Sequence, residues 1–173
     1  MIIGLGHKKQ QGKSTLAKML CNKHGFTEFT FAAKLKSVID SVFDFDPYYK
    51  QHKEEVCHQN GISYRDACES IGEFFRQKFG SNFWVKQLDK QVDWSKDVVI
   101  SDVRHLEEVN FLREKGAMLV KIVNPRKSQN SEAKHISEFG LDEFKDWDEV
   151  IVNDGTYEKL EKNMDKLLRK FCT

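Results

Sequence analysis

The sequence lacks any long apolar run. None of its hydrophobic stretches approaches the roughly 20 residues that a helix needs to cross a bilayer, so we expect a soluble, intracellular protein that has no membrane partner. The apolar residues 1–6 lead directly into a functional motif, which predicts that they form a strand and are not a removable targeting signal. The expected location is therefore the cytoplasm.

Cysteine pairs and surplus charge are missing too. The four cysteines include no Cys-x-x-Cys pair, which leaves no zinc-knuckle or disulfide-framework pattern. Cys57-His58 together with Cys68 could be drawn as a metal cluster, but isolated reduced thiols are the simpler interpretation. The formal net charge of +1 argues against a surface that binds a nucleic acid polymer.

Proline is scarce, with 2 residues in a chain of 173. Pro47 and Pro125 are each predicted to end an element, because the residue before a proline disfavours helical geometry. The length is enough for one well-filled core. We therefore expect a single domain over residues 1–173.

The most informative stretch is residues 7–15, which read His-Lys-Lys-Gln-Gln-Gly-Lys-Ser-Thr between an apolar strand and an amphipathic helix. A strand, a loop ending in Gly-Lys-Ser and a helix form the layout of a phosphate-binding P-loop. Gly12 lets the backbone approach a triphosphate, and Lys13, expected to be an exposed loop lysine, reaches its β- and γ-phosphates. The Ser14 hydroxyl can join the shell of a Mg²⁺ ion, and Thr15 lies beside it in the first helical turn.

One loop position departs from the usual G-x-x-x-x-G-K-[ST] spacing. His7 stands where the first glycine is expected, and Gly6 lies one residue earlier. Either His7 adopts the leading turn, or the loop is one residue longer and Gly6 leads it. The flanking strand and helix favour a nucleotide site over a chance Gly-Lys-Ser in a surface turn.

Apolar periodicity after the loop predicts alternating helices and strands. Strands are expected at residues 26–31, 97–102, 117–123 and 149–152. Helices are expected at residues 33–43, about 53–58, behind a capping box at 63–66, after 81–82, from about 105 and from about 156. The predicted inward faces of these helices include Val42, Phe74, Leu106 and Phe171. This order predicts an α/β, P-loop kinase-like fold, in which a parallel β-sheet carries helices on both faces.

Two segments of this domain are expected to serve substrates. The helices at about residues 44–95 would form an inserted wall over a second substrate. The polar, aperiodic stretch at about 126–135 is predicted to be a lid loop. Arg126 and Lys127 would close on the phosphates from this lid, or they form part of a solvated surface.

Further charged and aromatic residues are candidates for the site. Asp102, at the carboxyl end of an apolar strand, could hold Mg²⁺ through water, accept a hydrogen bond from an acceptor, or cap the next helix. Arg104 would neutralise the transferred group, and Glu108 either serves the site or forms an ion pair with Arg104. Trp84 offers a π-face to a base or packs in the core. Further candidate cations are Lys9 beside the loop, and Arg65 and Arg76 for the acceptor phosphate.

Five segments together resemble the small P-loop kinases typified by virus-encoded deoxynucleoside monophosphate kinases, and the match runs through nearly the whole chain. The segments are residues 9–15, residues 31–36, residues 71–73 followed by 82–85, residues 101–104 with Glu108, and residues 135–138 followed by 152–156.

The resemblance implies phosphoryl transfer from ATP, with Mg²⁺, to a deoxynucleoside monophosphate. It implies acceptor contacts at matching positions, which are Lys9, Trp84, Asp102, Arg104 and Glu108. Ala32 and Lys36, in the segment 31–36, are further candidate acceptor contacts. It also implies the host cytoplasm as location if a virus encodes the chain. His7, Gln10 and Glu73 depart from the family pattern, so the base preference is not carried over.

Two other functions remain open at this point. Residues 138–144 also resemble the C-terminal segment of phosphomevalonate kinases, which share the architecture and act on a different phosphate. A nucleotide-binding regulator without turnover would equally need a P-loop. Whether the chain forms a homodimer is open as well.

Overall fold

The computed structural model describes residues 1–6, 8–128 and 140–171. The chain divides into two compact units. The sheet unit comprises Met1–Thr30 and Val92–Thr173, and the helical unit comprises Phe31–Gln91. Among the described residues, no helix is both long and apolar enough to cross a membrane.

The described residues form seven strands and eight helices. In chain order these are β1 (Ile2–Gly6), α1 (Lys13–His24), β2 (Thr27–Phe29), α2 (Ala32–Val42), α3 (Pro47–Gln51), β3 (Val56–Cys57), β4 (Ile62–Ser63), α4 (Tyr64–Phe79), α5 (Phe83–Asp89), β5 (Val98–Val103), α6 (Leu106–Glu114), β6 (Met118–Val123), α7 (Pro125–Ser128), β7 (Glu149–Val152) and α8 (Tyr157–Phe171).

The sheet unit is built on five of these described strands in the order β2-β5-β1-β6-β7. Each neighbouring pair is parallel, and Gly4 of β1 lies opposite Ile100 of β5 on one side and Leu119 of β6 on the other. The carboxyl ends of the strands therefore share one edge of the sheet, with β1 at its centre. This topology confirms the predicted parallel sheet.

Helices cover both faces of the sheet. On one face, Leu16 of α1 and Met164 of α8 are fully buried against Ile3 of β1. On the other face, a Cβ atom added to Gly4 would lie 2.9 Å from the side chain of Leu112 in α6, so this helix packs closely on β1. The two-sided layering agrees with the predicted P-loop kinase-like fold.

The helical unit packs α2, α4 and α5 around an apolar cluster that includes Leu35, Ile39 and Trp84. Ser63 begins α4 as predicted, since its Oγ accepts a hydrogen bond from the Asp66 backbone N–H at 3.0 Å. Gly72 permits a close approach of α2, because a Cβ there would lie 3.1 Å from Leu35.

The prediction for the segment between α2 and α4 was wrong. Asp46 and Pro47 begin α3 rather than end an element, because Asp46 Oδ1 accepts the Tyr48 N–H at 2.7 Å and proline suits the first helical position. Residues 53–58, expected to be helical, form a turn and the first strand of the β3-β4 hairpin instead.

Four apolar residues predicted to face inward are exposed, namely Val42, Phe74, Leu106 and Phe171. Three of them are the last or first residues of their helices, where the apolar periodicity continues beyond the packed surface. Phe74 is exposed because its neighbour Phe75 occupies the inward position and packs against Phe83 and Trp84.

Candidate functional site

The loop between β1 and α1 leaves the central strand at the carboxyl edge of the sheet. Gly12 precedes α1 with φ 107°, and its carbonyl accepts the Leu16 N–H at 3.1 Å, which closes the first helical turn. The first N–H groups of a helix have no intrahelical partner, and the described first turn of α1 contains no acidic residue. The start of α1 is therefore suited to an anion such as a phosphate.

Two glycines in this region are fixed by close packing. A Cβ on Gly12 would collide with the side-chain amide of Asn153, and its positive φ also disfavours other residues. A Cβ on Gly6 would collide with the Trp147 ring. Gly6 pairs with Lys121 as the last residue of β1, so it belongs to the strand, while His7 lies outside the described residues.

Lys13 is 6% exposed, which corrects the expectation of an exposed loop lysine. Its Nζ donates a hydrogen bond to the carbonyl oxygen of Lys8, five residues earlier in the loop. The ammonium group is thus held by the loop backbone, and its alkyl stem is buried. Phosphate oxygens can replace the Lys8 carbonyl as its partner, because an anion is a stronger acceptor for an ammonium group.

Two amide side chains that sequence reasoning missed tie the loop to neighbouring strand ends. Gln11, 5% exposed, accepts the Asn124 backbone N–H through Oε1 and donates to the Lys9 carbonyl at 3.3 Å. Asn153 donates through Nδ2 to the Gln11 carbonyl at 2.9 Å. These partners are 113 and 142 residues apart in sequence, so local spacing gives no signal for them; Asn153 appeared only within a family-like segment.

Ser14, Thr15 and Asp102 lie at the same edge of the sheet unit. Ser14 and Thr15 are exposed in the first turn of α1. Asp102 is partly buried in β5, the neighbour of β1, next to Val103, which pairs with Gly6. Hydroxyl and carboxylate oxygens are the ligands that Mg²⁺ prefers, so the donor types at this edge fit that ion.

Glu108 caps α6. It is 4% exposed, and its Oε2 accepts the backbone N–H groups of Arg104 at 2.7 Å and His105 at 3.0 Å. Glu108 therefore binds the backbone of Arg104, whether or not it also pairs with the guanidinium group. Glu108 also fills the capping role left open for Asp102. Its effect on the site is to fix the backbone from which the Arg104 side chain projects.

Arg126 is exposed in α7, so residues 126–128 begin as a helix where a loop was predicted; residues 129–135 of that lid lie outside the described residues. The Arg126 N–H donates to Asn124 Oδ1 at 3.1 Å. Nearby, the hydrogen bond from Lys159 lowers the pKa of Asp154, and the charge of Arg126 contributes to this shift. Asp154 is therefore ionised at neutral pH, and its pair with Lys159, at 2.8 Å, links the residues after β7 to α8.

The helical unit changes the interpretation of Trp84. The ring is 2% exposed, with its centroid 5.3 Å from Phe75 and 4.9 Å from Phe83. Its Nε1 donates to the Gly72 carbonyl at 3.0 Å. Trp84 is thus a core residue with a satisfied polar group, and the hypothesis of a base-stacking platform is corrected.

The other candidates of the helical unit differ in their surroundings. Arg65 is held by carboxylates of its own unit, since its guanidinium contacts Glu54 and lies 3.6 Å from Glu69. This pairing disfavours the predicted contact of Arg65 with an acceptor phosphate. The remaining candidates are all partly buried on α2 or α4 and are Ala32, Lys36 and Arg76.

Comparison with known proteins adds to this geometry. A family model described as deoxynucleotide monophosphate kinase matches residues 69–164. A protein of Acanthamoeba polyphaga mimivirus, provisionally named deoxynucleotide monophosphate kinase, is 31% identical over 179 residues, which cover 92% of this chain and 91% of that protein. The deoxynucleotide monophosphate kinase of Enterobacteria phage T4 is 32% identical over 141 residues, which cover 72% of this chain and 57% of that enzyme. The chain thus spans little more than half the length of this phage relative.

Solved structures support the fold alone. Shikimate kinase from Aquifex aeolicus superposes with a TM-score of 0.55 at 15% identity, covering 98% of this chain and 97% of that one. Dephospho-CoA kinase from Campylobacter jejuni superposes with a TM-score of 0.53 at 14% identity, covering 98% of this chain and 94% of that one. Both are kinases of small molecules by name, and their likeness agrees with a P-loop kinase fold.

Proposed function

Because this chain belongs to the deoxynucleotide monophosphate kinase family, we propose that it transfers the γ-phosphoryl group of ATP to a deoxynucleoside monophosphate, giving ADP and the deoxynucleoside diphosphate. The observation that carries the proposal is the pairing of this family match with a P-loop whose lysine is held over the loop backbone at the centre of a parallel sheet. Phosphoryl transfer depends mainly on positioning and charge neutralisation, and the residues of this edge supply both.

The triphosphate of ATP binds in the loop. Backbone N–H groups from Gly12 to Thr15 donate to its oxygens, and Lys13 leaves the Lys8 carbonyl for the β- and γ-phosphates. Arg126, exposed in α7, contributes a further positive charge to the phosphates. Lys9, partly buried in the same loop, is proposed to bring a further positive charge to the transferred group.

Mg²⁺ is held by oxygen ligands at the same edge. Ser14, exposed in α1, would hold it through its hydroxyl, and Asp102 would hold it through water or accept a hydrogen bond from the acceptor. An ion held there would neutralise negative charge that develops on the phosphates. A Mg²⁺ titration of Asp102→Asn separates the two roles: a shifted titration assigns Asp102 to the metal, and a raised acceptor Michaelis constant alone assigns it to the acceptor.

The acceptor's phosphate is gripped by Arg104. Its backbone is fixed by Glu108, so the planar guanidinium fork starts from a defined position. In the helical unit, Ala32, Lys36 and Arg76 are the proposed acceptor contacts. Trp84 stabilises this unit from its core.

The preference for a deoxy sugar follows from desolvation. An acceptor wall without a partner for a ribose 2′-hydroxyl leaves that group buried and unpaired, which costs about 1–3 kcal/mol. A preference of roughly ten- to a hundredfold for deoxy over ribo acceptors is the size such a wall supplies.

A coupled ADP-release assay over a panel of acceptors tests the proposal. The panel contains matched deoxynucleoside and ribonucleoside monophosphates and phosphomevalonate, at fixed ATP and Mg²⁺. We expect the highest specificity constants for deoxynucleoside monophosphates. Ratios near one between deoxy and ribo acceptors would remove the deoxy preference, activity on phosphomevalonate alone would overturn the acceptor class, and ATP binding without ADP release on any acceptor would favour a regulator.

The location is proposed from the relatives alone. The relatives named above are encoded by viruses and phages, so we propose that the chain works in the cytoplasm of an infected host. A homodimer stays a prediction, which size-exclusion chromatography with light scattering would test.

A further inference from the structure

Asn153 joins three strand ends at the edge that carries the P-loop. Its backbone N–H donates to the Val123 carbonyl at 2.7 Å, so it continues the ladder between β6 and β7 by one step. Its side-chain Nδ2 donates to the Gln11 carbonyl at 2.9 Å. Since β6 lies between β1 and β7, this amide reaches from the edge strand across β6 to the loop that follows β1.

The hydrogen bond to Gln11 sets the orientation of one peptide group. A trans peptide is planar, and its C=O and N–H point in opposite directions. Because Asn153 holds the carbonyl of the peptide between Gln11 and Gly12, the Gly12 N–H of the same peptide points away from Asn153. An anion-binding loop requires its N–H groups, and not its carbonyl oxygens, to face the ligand.

The loop sequence alone does not secure this orientation. Gln10 has φ 59° and Gly12 has φ 107°, so left-handed conformations occur one residue before and one residue after Gln11. Glycine adopts positive and negative φ at little cost, so this peptide could rotate and present the Gln11 carbonyl to the ligand instead. A carbonyl oxygen facing a triphosphate would repel it.

The side chain of Gln11 supports the same arrangement from its other end. It is 5% exposed, accepts the Asn124 backbone N–H and donates to the Lys9 carbonyl at 3.3 Å. Rotation of the neighbouring peptide therefore has to occur beside an anchored side chain. Asn153 is the contact that acts on the rotating carbonyl itself.

We propose that Asn153 is a positioning residue, which locks the peptide between Gln11 and Gly12 so that the Gly12 N–H faces the triphosphate of the bound nucleotide. The proposal rests on the proposed use of ATP by this loop. It assigns Asn153 no contact with the base, the ribose or the acceptor. Its loss should therefore weaken any ligand that carries the polyphosphate, and by the same factor.

Calorimetry with two probes tests this role on the full chain. ATP contains the base and sugar, whereas inorganic tripolyphosphate contains only the charged tail. Asn153→Leu keeps the approximate size of the side chain and removes its hydrogen-bond donor. Loss of one hydrogen bond and of the peptide orientation should raise the dissociation constants of both probes by about five- to thirtyfold. Asn110→Leu, which alters an exposed amide on α6, is the matched control and should leave both constants unchanged.

A second variant and a kinetic readout guard against misfolding. Asn153→Asp keeps the shape, but a carboxylate cannot donate to the Gln11 carbonyl and adds a negative charge beside the loop, so it should weaken both probes more than Asn153→Leu does. In steady-state assays the Michaelis constant for ATP should rise while that of the acceptor stays within twofold.

Three results would overturn the proposal. Weaker ATP binding with unchanged tripolyphosphate binding would place Asn153 against the base or ribose. A lower melting temperature with unchanged binding of both probes would make its role purely structural. Unchanged binding of both probes together with an unchanged melting temperature would show that Asn153 has no role in the loop. Failure of the wild-type chain to phosphorylate any acceptor would refute the proposed function, while the effect of Asn153 on polyphosphate binding would still be measured.

Discussion

Replacing Lys13 by methionine removes the charge that we assign to the β- and γ-phosphates while retaining most of the buried stem. The structure makes this choice necessary, because Lys13 is 6% exposed and its Nζ binds the Lys8 carbonyl. Lys13→Ala would also delete three buried methylenes, at about 0.8 kcal/mol each, and would confuse lost packing with lost catalysis. Methionine loses the charged hydrogen bond to the Lys8 carbonyl, which contributes about 1.5–3 kcal/mol.

The effects of Lys13→Met on stability and on turnover are measured separately. For a chain of this length about 1 kcal/mol corresponds to roughly 2–4 °C, so the melting temperature should fall by about 3–12 °C. Removing a preorganised charge from the transferring phosphoryl group costs about 3–4 kcal/mol in the transition state, and kcat should fall by roughly 10²–10³-fold.

The assay is coupled ADP release at saturating ATP and acceptor, with thermal unfolding measured on the same samples. Lys18→Met changes an exposed lysine on the same helix and should leave both readouts unchanged. A Lys13→Met variant that melts normally and retains more than about a tenth of wild-type turnover would refute the role of Lys13 at the phosphates.

Three further variants test single residues. Arg104→Lys keeps the charge but loses the planar fork, so the acceptor Michaelis constant should rise about tenfold with that of ATP unchanged; a rise for ATP alone would assign Arg104 to the other substrate. Ser14→Ala should shift Mg²⁺ activation to higher concentration, and an unaltered titration would remove Ser14 from the metal shell. The folded pKa of Asp154 lies below its unfolded value because of Lys159, so this pair stabilises the fold at neutral pH and the contribution is lost below about pH 4. The free energy of unfolding should therefore decrease less on acidification in Asp154→Asn than in the wild type. Identical acid unfolding of the two proteins would contradict the ion pair.

The sheet and the loop could be predicted from sequence because their signals are local. The bounds of β7 agree with the prediction, and Ser63 begins α4 as its spacing to Asp66 indicated. A strand, a Gly-Lys-Ser loop and a helix occur within residues 1–24, so the candidate phosphate-binding loop could be located without tertiary information.

The remaining features depend on contacts between distant residues or on ambiguous signals. The burial of Trp84 depends on aromatic neighbours and on a carbonyl 12 residues away, which periodicity does not reveal. Glu108 follows Arg104 at a spacing shared by ion pairs and capping boxes, and only the structure reveals its hydrogen bonds to the backbone at the start of α6. Proline occurs both after the ends of helices and at their first position, so the sequence around Pro47 is ambiguous. The Asn153 amide contacts a loop 142 residues earlier, which nothing in the local pattern predicts.

The most direct test of the central claim follows the transferred phosphorus itself. The full chain is incubated with Mg²⁺, ATP labelled in its γ-phosphate and an unlabelled deoxynucleoside monophosphate, and the products are separated. The label should appear in the β-phosphate of the deoxynucleoside diphosphate, in amounts equal to the ADP formed, and Lys13→Met should nearly abolish it. Label found only in inorganic phosphate would contradict transfer to the acceptor, and diphosphate formed equally well by Lys13→Met would contradict the role of the P-loop lysine.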